Sequence, residues 1–340
     1  MLDWDTWRSN PSRAAGHLIP DAVAAVASGG TAKAVRATTM ARQSQAAVRL
    51  AAARDGLRRE ATGSAAASAR QALIQRVEAE ALARIKASGA TAWHGEGGAR
   101  LSALQNAAVE AYHSMSTARE RSLTAIMREV TEVAQGELSG LDHRLKTPES
   151  SKRKVATEQP RIGRVLPELR LPELLTGTED TIRYSVVIKE SNYVHGVTEI
   201  AKTLEQHGFH AHPPRNTWQG PRYRGINSVW VDPATGAAFE MQFHTPASYR
   251  ITTRTHRMYE EFRLPSTSPD RKAVLHELIA AEYRTAPIPG WVDVLKGKNF
   301  PPPSAPDPIT PPADYTRHAA AVGASVIHLA TTQPEATHPK

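Results

Sequence analysis

The sequence predicts an α+β chain: a mixed β-sheet flanked by helices, preceded by an all-α region. Three observations carry this reading. Residues from about 20 to 140 are rich in Ala, with Arg, Gln and Glu interspersed and few β-branched residues, a composition of high helix propensity. From about 141 to 290, short apolar strand-like runs alternate with helical patterns. Within that part, Asp232-Pro-Ala-Thr-Gly236 separates two alternating runs, so Arg222 to Val231 and Phe239 to Thr245 read as an antiparallel hairpin.

The elements follow in order. Breaks in the helical region are expected at Gly29-Gly30, Gly63, Gly89 and Gly95 to Gly98. The clearest helix runs through Leu101, Leu104, Ala108, Tyr112, Met115, Leu123, Ile126, Met127, Val130 and Val133 at helical spacing, with Gly140 as its expected terminator. Pro148 suits a first helical turn, and Glu149 favours that helix N-terminus. Tyr184 to Ile188 is a strand. Ser191 or Asn192 caps a helix through Val197, Ile200 and Leu204 to Gly208. An extended segment at Phe209 to His212 precedes the hairpin, and helices follow around Tyr249 to Phe262 and Pro269 to Tyr283. Pro301-Pro302-Pro303 to Pro312 reads as an extended linker. The expected division is a helical region at 1–140 for docking, delivery or oligomerisation, a sheet domain at 141–290, and a Pro-rich disordered tail at 291–340.

Composition narrows the chemistry. The 340 residues include 42 Lys and Arg against 34 Asp and Glu, a net charge of +8 with His neutral. This balance suits an anionic partner and equally describes a generic basic surface. Cysteine is absent, which excludes disulfides, thiolate nucleophiles and Cys-ligated zinc. Met1 to Asp5 lack a basic start followed by an apolar run, and no stretch is long and apolar enough to span a bilayer. A cytoplasmic site of action is expected, with export by a specialised secretion system left open.

Three constellations carry chemistry. Arg144-x-Lys146-x-x-x-Ser150-x-x-x-Lys154 gathers cations and a hydroxyl near a helix N-terminus, which suits a polyphosphate cradle, although such a charge run taken alone is more often a solvated basic face. Asp180, just before a strand and close to Arg183, can hold Mg²⁺ near phosphates or form a strand-edge ion pair. In Phe239-Glu240-Met-Gln242-Phe-His244-Thr245, alternation puts Glu240, Gln242 and His244 on one face. That face is either a working site or the polar side of an antiparallel strand. His207, His210 and His212 lack a neighbouring carboxylate in sequence and read as a solvated strand face rather than a zinc site.

Taken in order, the motifs resemble the RelA/SpoT-type alarmone synthetase domain, over about residues 140 to 265. Residues 144–154 resemble its phosphate-binding loop and helix, 221–230 its acceptor loop, and 240–245 its second acidic motif; His256-x-x-Tyr259 resembles the helix that follows. The resemblance implies a nucleotidyltransferase-like fold and an ATP-dependent pyrophosphokinase that moves the β,γ-diphosphate of ATP to a nucleotide 3′-hydroxyl. It implies that Arg144, Lys146, Ser150, Lys154 and Arg183 hold ATP phosphates. Asp180 and Glu240 would be catalytic and bind Mg²⁺, and Tyr223, Arg224, Asn227, Gln242 and His244 would face the acceptor, with His256 a further candidate. Two departures stand out: Arg183 lies three residues after Asp180 rather than five, and Ile226 occupies the place of a guanine-stacking Tyr, a role for which Tyr223 or Trp218 is a substitute.

The acceptor therefore stays open among GDP or GTP, ADP or ATP, and the 3′ end of tRNA. A helical region fused to a compact synthetase domain fits a toxin with an antitoxin or immunity protein as partner. The rival outside enzymology is a catalytically degenerate nucleotide-binding module.

Overall fold

The computed structural model describes residues 31–161, 174–175, 177–295, 297 and 300. Helix α1 spans Thr31–Ser88, and a small hairpin, β1 (Trp93–His94) with β2 (Arg100–Leu101), connects it to α2 (Ala103–Val133). Then come β3 (Glu137–Ser139), α3 (Pro148–Arg161), β4 (Arg183–Val187), α4 (Tyr193–Gln206), β5 (His210–Ala211) and β6 (Arg215–Asn216). The hairpin β7 (Ile226–Val231) and β8 (Ala238–His244) leads to α5 (Pro246–Arg263) and α6 (Pro269–Arg284). The expected α+β class is the class found, a mixed sheet with helices around it and a helical region before it. Among the described residues no helix is long and apolar enough to cross a membrane.

The sheet runs β3-β4-β8-β7-β5, with β6 also paired to β7. Among the described residues β4 and β8 pair in parallel and the other pairs are antiparallel. Alternation along β8 sends Phe239, Met241 and Phe243 into a core with Tyr184, Val186, Ile200, Leu204, Trp218 and Trp230. Each such side chain contributes roughly 1.5–3 kcal/mol on burial, so the strand's apolar face fixes its register and commits Glu240 and Gln242 to the opposite face.

Helix α1 is not broken at Gly63, where the sequence suggested a stop: it continues through that position. A helix tolerates an isolated Gly when tertiary packing compensates. Here Ala66, Leu73, Ile74, Val77 and Ala81 form a buried stripe, packed on α2, α3 and the hairpin. Arg59 pairs with Glu205 at 2.9 Å, Arg70 donates to the carbonyls of Leu175 and Gly236, and Arg76 to that of Thr235. The closest approach is at Gly236, where φ is +72° and an added Cβ would lie 2.2 Å from the carbonyl oxygen of Ala69.

Helix α2 opens with a capping box between Ser102 and Gln105. It ends at Val133 rather than near Gly140, because Gln135 takes the left-handed conformation (φ 52°) that the sequence reading assigned to a glycine. Gly140, also left-handed, instead starts a short 3-10 turn at Leu141–His143. The His210 and His212 pair does not form an open strand face: His210 lies against Gly63 of α1, and burial pushes both imidazoles below their usual pKa. Among the described residues no three His, Asp or Glu side chains are grouped to hold a metal. Beyond α6, Val292, Leu295 and Phe300 pack into the sheet core, Phe300 against Trp230. The Gly29-Gly30 break and the Pro-rich segment at 301–312 lie outside the described residues.

Candidate active site

The polar face of the sheet is assembled by register. Arg183 on β4 stands opposite Glu240 on β8, and Ser185 opposite Gln242. On the other side of β8, Asn227 of β7 stands opposite Gln242. Gln242 donates through Nε2 to Glu240 Oε2 at 3.1 Å, and Asn227 donates through Nδ2 to Glu240 Oε1 at 3.1 Å. The carboxylate that alternation placed on this face is thus held by amides on both sides. Burial raises the Glu240 pKa above its usual value, the charge of Asp180 raises it further, and Arg183, Lys146 and Lys154 partly offset both.

The phosphate-cradle residues meet Asp180. Residues 144–146 run beside 181–183: the Lys146 amide donates to the Thr181 carbonyl at 3.0 Å, and the Arg183 amide to the Arg144 carbonyl at 2.8 Å. This short bridge, centred on Leu145 and Ile182, directs Lys146 to Asp180. From α3, whose first turn is capped by the Thr147 hydroxyl, Lys154 reaches the other Asp180 oxygen at 2.9 Å. Burial pushes the Asp180 pKa up, but Lys146 and Lys154 together hold it below the usual carboxylate value. Burial also lowers the Lys146 pKa, against the pull of Asp180. Ser150 sits one turn before Lys154 and is partly exposed.

Other sequence candidates are placed differently from one another. Arg144 is paired with Glu120 of α2 and the Leu141 carbonyl. Tyr223 folds back over Gly225, where an added Cβ would lie 3.0 Å from the tyrosine oxygen. Its hydroxyl donates to Asn227 Oδ1 at 2.7 Å and lies 3.2 Å from His244 Nε2. Arg224 turns to the carbonyl of Ala286 beyond α6. His256 is exposed on α5, about three helical turns from the start of that helix at Pro246. Trp218 cannot serve as a stacking platform, because it is wholly buried and its indole donates to Tyr193 at 3.0 Å.

One participant escaped sequence reasoning. Glu120 on α2 binds Arg144 and Thr124, whose hydroxyl also meets that of Tyr184 at 2.8 Å. The hydrogen bond to Arg144 is the largest influence on Glu120 and holds its carboxyl below the usual range. Its sequence signal was a carboxylate that helical spacing puts on the same face as Leu123 and Met127. Lys152 is buried against Glu110 and Glu149 rather than presented with Lys154.

The donor set suits a hard cation. Asp180 and Glu240 could offer carboxylate oxygens to one ion, and the charge of Asp180 raises the Glu240 pKa; Mg²⁺ is commonly bound through one or two carboxylates plus phosphates and water.

No family model matches the chain, and no curated protein matches it. Among solved structures, smu.1046c from Streptococcus mutans UA159 is similar at 16% identity and a TM-score of 0.33, covering 51% of this chain and 87% of that one. Small alarmone synthetase 1 from Bacillus subtilis, bound to its product pppGpp, is similar at 14% identity and a TM-score of 0.35, covering 51% and 88%. A second structure of that synthetase gives 16% and 0.30, covering 48% and 90%. At these identities and TM-scores the likenesses assign neither fold nor activity.

Proposed function

We propose that the chain is an ATP-dependent pyrophosphokinase that transfers the β,γ-diphosphate of ATP to the 3′-hydroxyl of a nucleotide, acting as a toxin. The observation that carries this reading is the convergence of Lys146, Lys154 and Asp180 beside the amide-held Glu240. Cations and carboxylates from separate motifs lie on this face, and a diphosphate transfer needs both.

In this reading Lys146, Lys154, Arg183 and Ser150 bind the triphosphate, with Arg144 at its edge. Anionic phosphates compete for the two lysines that Asp180 holds in the free protein, which releases its oxygens. Asp180 and Glu240 would then hold Mg²⁺, whose contribution is to neutralise charge on the transferring phosphates. Glu240 accepts the proton of the acceptor hydroxyl; a bond forms from that oxygen to the β-phosphorus, the bond from the α,β-bridging oxygen breaks, and AMP leaves. Burial and the raised pKa of Glu240 suit a proton acceptor, because a carboxylate of ordinary pKa is a weak base at neutral pH.

A second acceptor, the 3′ end of tRNA, is favoured by one observation. Arg250 and Arg257, with Arg254 between them paired to Glu282, recur on the exposed side of α5, the helix that follows β8. An arginine stripe of this kind suits a nucleic-acid backbone.

The test is incubation with γ-labelled ATP, Mg²⁺ and a panel of GDP, GTP, ADP, ATP, AMP and bulk tRNA. Label in a free nucleotide supports the first reading, label in tRNA the second, and ATP binding without any transfer supports the degenerate module instead. For the toxin role, induced expression should arrest growth, with an antitoxin or immunity protein restoring it, and Asp180→Ala should not arrest it; equal growth of both cultures would remove that role.

A further inference from the structure

His244 stands on the working face by alternation, yet the structure gives it no access to a ligand: it is 0% exposed. What it touches is informative. Its Nδ1 lies 3.2 Å from the Ser248 hydroxyl and its Nε2 3.2 Å from that of Tyr223; Tyr249 and Tyr223 pack edge-on against the ring. Burial, with a smaller contribution from Arg183, pushes its pKa down to about 3, so the ring is neutral across the physiological range.

The proton positions follow from the donor and acceptor inventory. An ionised Glu240 only accepts, so the Asn227 group facing it is the amide nitrogen, and the Asn227 oxygen faces Tyr223. The single Tyr223 proton is therefore given to Asn227. The Tyr223 oxygen must accept from His244, which fixes the Nε2–H tautomer and leaves Nδ1 to accept from Ser248, whose hydroxyl lies nearer to it (3.2 Å) than to its other acceptor, the Thr245 carbonyl (3.4 Å). Every donor in the series points the same way, toward the carboxylate, and hydrogen bonds aligned in one sense polarise one another. Ser248 is itself fixed by the α5 capping box, in which Thr245 and Ser248 bond reciprocally.

We infer that His244 is a positioning residue, not an acceptor contact: Ser248, His244, Tyr223 and Asn227 form a one-way hydrogen-bond chain that orients the Glu240 carboxylate. The chain runs from the N-terminus of α5 to the edge of the site and ties the base to the α5 capping box. Tyr223 serves as a link in it rather than as a free stacking ring, and Gly225 is the position that lets the ring fold back. This inference rests on Glu240 being the proton acceptor.

Two measurements on the full chain separate the inference from that reading. The first is independent of activity: long-range imidazole NMR of the wild-type protein should show His244 neutral, as the Nε2–H tautomer, between pH 5 and 8, and Tyr223→Phe should shift its Nε2 resonance. A doubly protonated ring or the Nδ1–H tautomer would overturn the inference even if transfer occurs. The second is steady-state transfer from labelled ATP, where absence of transfer by the wild type would overturn the proposed function and leave the NMR result to stand or fall alone. With an active wild type, Tyr223→Phe and His244→Leu should each lower kcat about 10–100-fold, the usual range for groups that orient a reacting group, with KM for ATP and acceptor nearly unchanged. His244→Gln, whose amide nitrogen can replace Nε2–H as donor, should recover more than half of the lost kcat. A rise in acceptor KM with kcat unchanged would place these side chains on the acceptor instead and overturn the inference, as would full activity in Tyr223→Phe.

Discussion

Arg183 and Glu240 are register partners on adjacent parallel strands, so the sheet itself holds a guanidinium beside the candidate proton acceptor. The pairing is incomplete as charge compensation. Burial raises the Glu240 pKa and Asp180 adds to it, and the three cations nearby do not fully reverse the effect. The site thus keeps a carboxylate at a cost in folding free energy, a trade often seen where activity and stability compete.

That cost is measurable. A group whose folded pKa is raised contributes stability below its unfolded pKa, here 4.5, and loses it as pH rises through the folded value. Glu240→Gln sets an amide nitrogen against the donor of Asn227 or Gln242 at any pH, but its thermal midpoint should rise relative to that of the ligand-free wild type between pH 4.5 and pH 7. A gain of about 2 °C or more is expected, since ~1 kcal/mol moves the midpoint of a chain of this size by about 2–4 °C. A difference between variant and wild type that does not grow with pH would contradict the electrostatic account of the site.

Asp180 has the opposite sign. Its folded pKa is depressed below 3.8, so the stability it contributes is present above that pH and is lost as pH falls through the folded value. Asp180→Asn should cost about 1–3 kcal/mol at pH 7, because Lys146 is left partly buried without its counter-charge. Denaturant melts at pH 7 and pH 3 should show the difference between variant and wild type shrinking at the lower pH. A pH-independent difference would mean that packing, not the ion pair, explains it.

Gly236 tests how firmly α1 is joined to the sheet domain. Valine there would meet a positive φ and an Ala69 carbonyl 2.2 Å away, and the backbone conformation alone costs about 1–3 kcal/mol. Gly236→Val should lower the thermal midpoint and speed proteolysis within 58–88. Unchanged proteolysis would show that the close approach does not hold α1 in place.

The sequence made the sheet face legible because strand alternation has a strict period: Glu240, Gln242 and His244 had to share a side once Met241 and Phe243 were apolar. It could not reveal depth. Gln242 and His244 look alike in that pattern, yet one lines the open face and the other is sealed beneath Tyr223 and Tyr249. Glycine positions misled for a related reason, since a long buried stripe carries α1 through Gly63 and Gln135 takes the conformation expected of Gly140. The cradle at 144–154 was visible as charge, but its division into Lys154 at the site and Lys152 in a buried pair depends on Glu110, forty residues away in another helix. The partnership of Glu120 with Arg144 is equally non-local.

The most direct test of the central claim is diphosphate transfer from γ-labelled ATP with Mg²⁺, comparing wild type with Glu240→Gln, a substitution that keeps shape but removes the base. The account predicts transfer to one acceptor by the wild type and a loss of about 10²–10⁴-fold in the variant, the range for removal of a general base. Undiminished transfer by Glu240→Gln would contradict it.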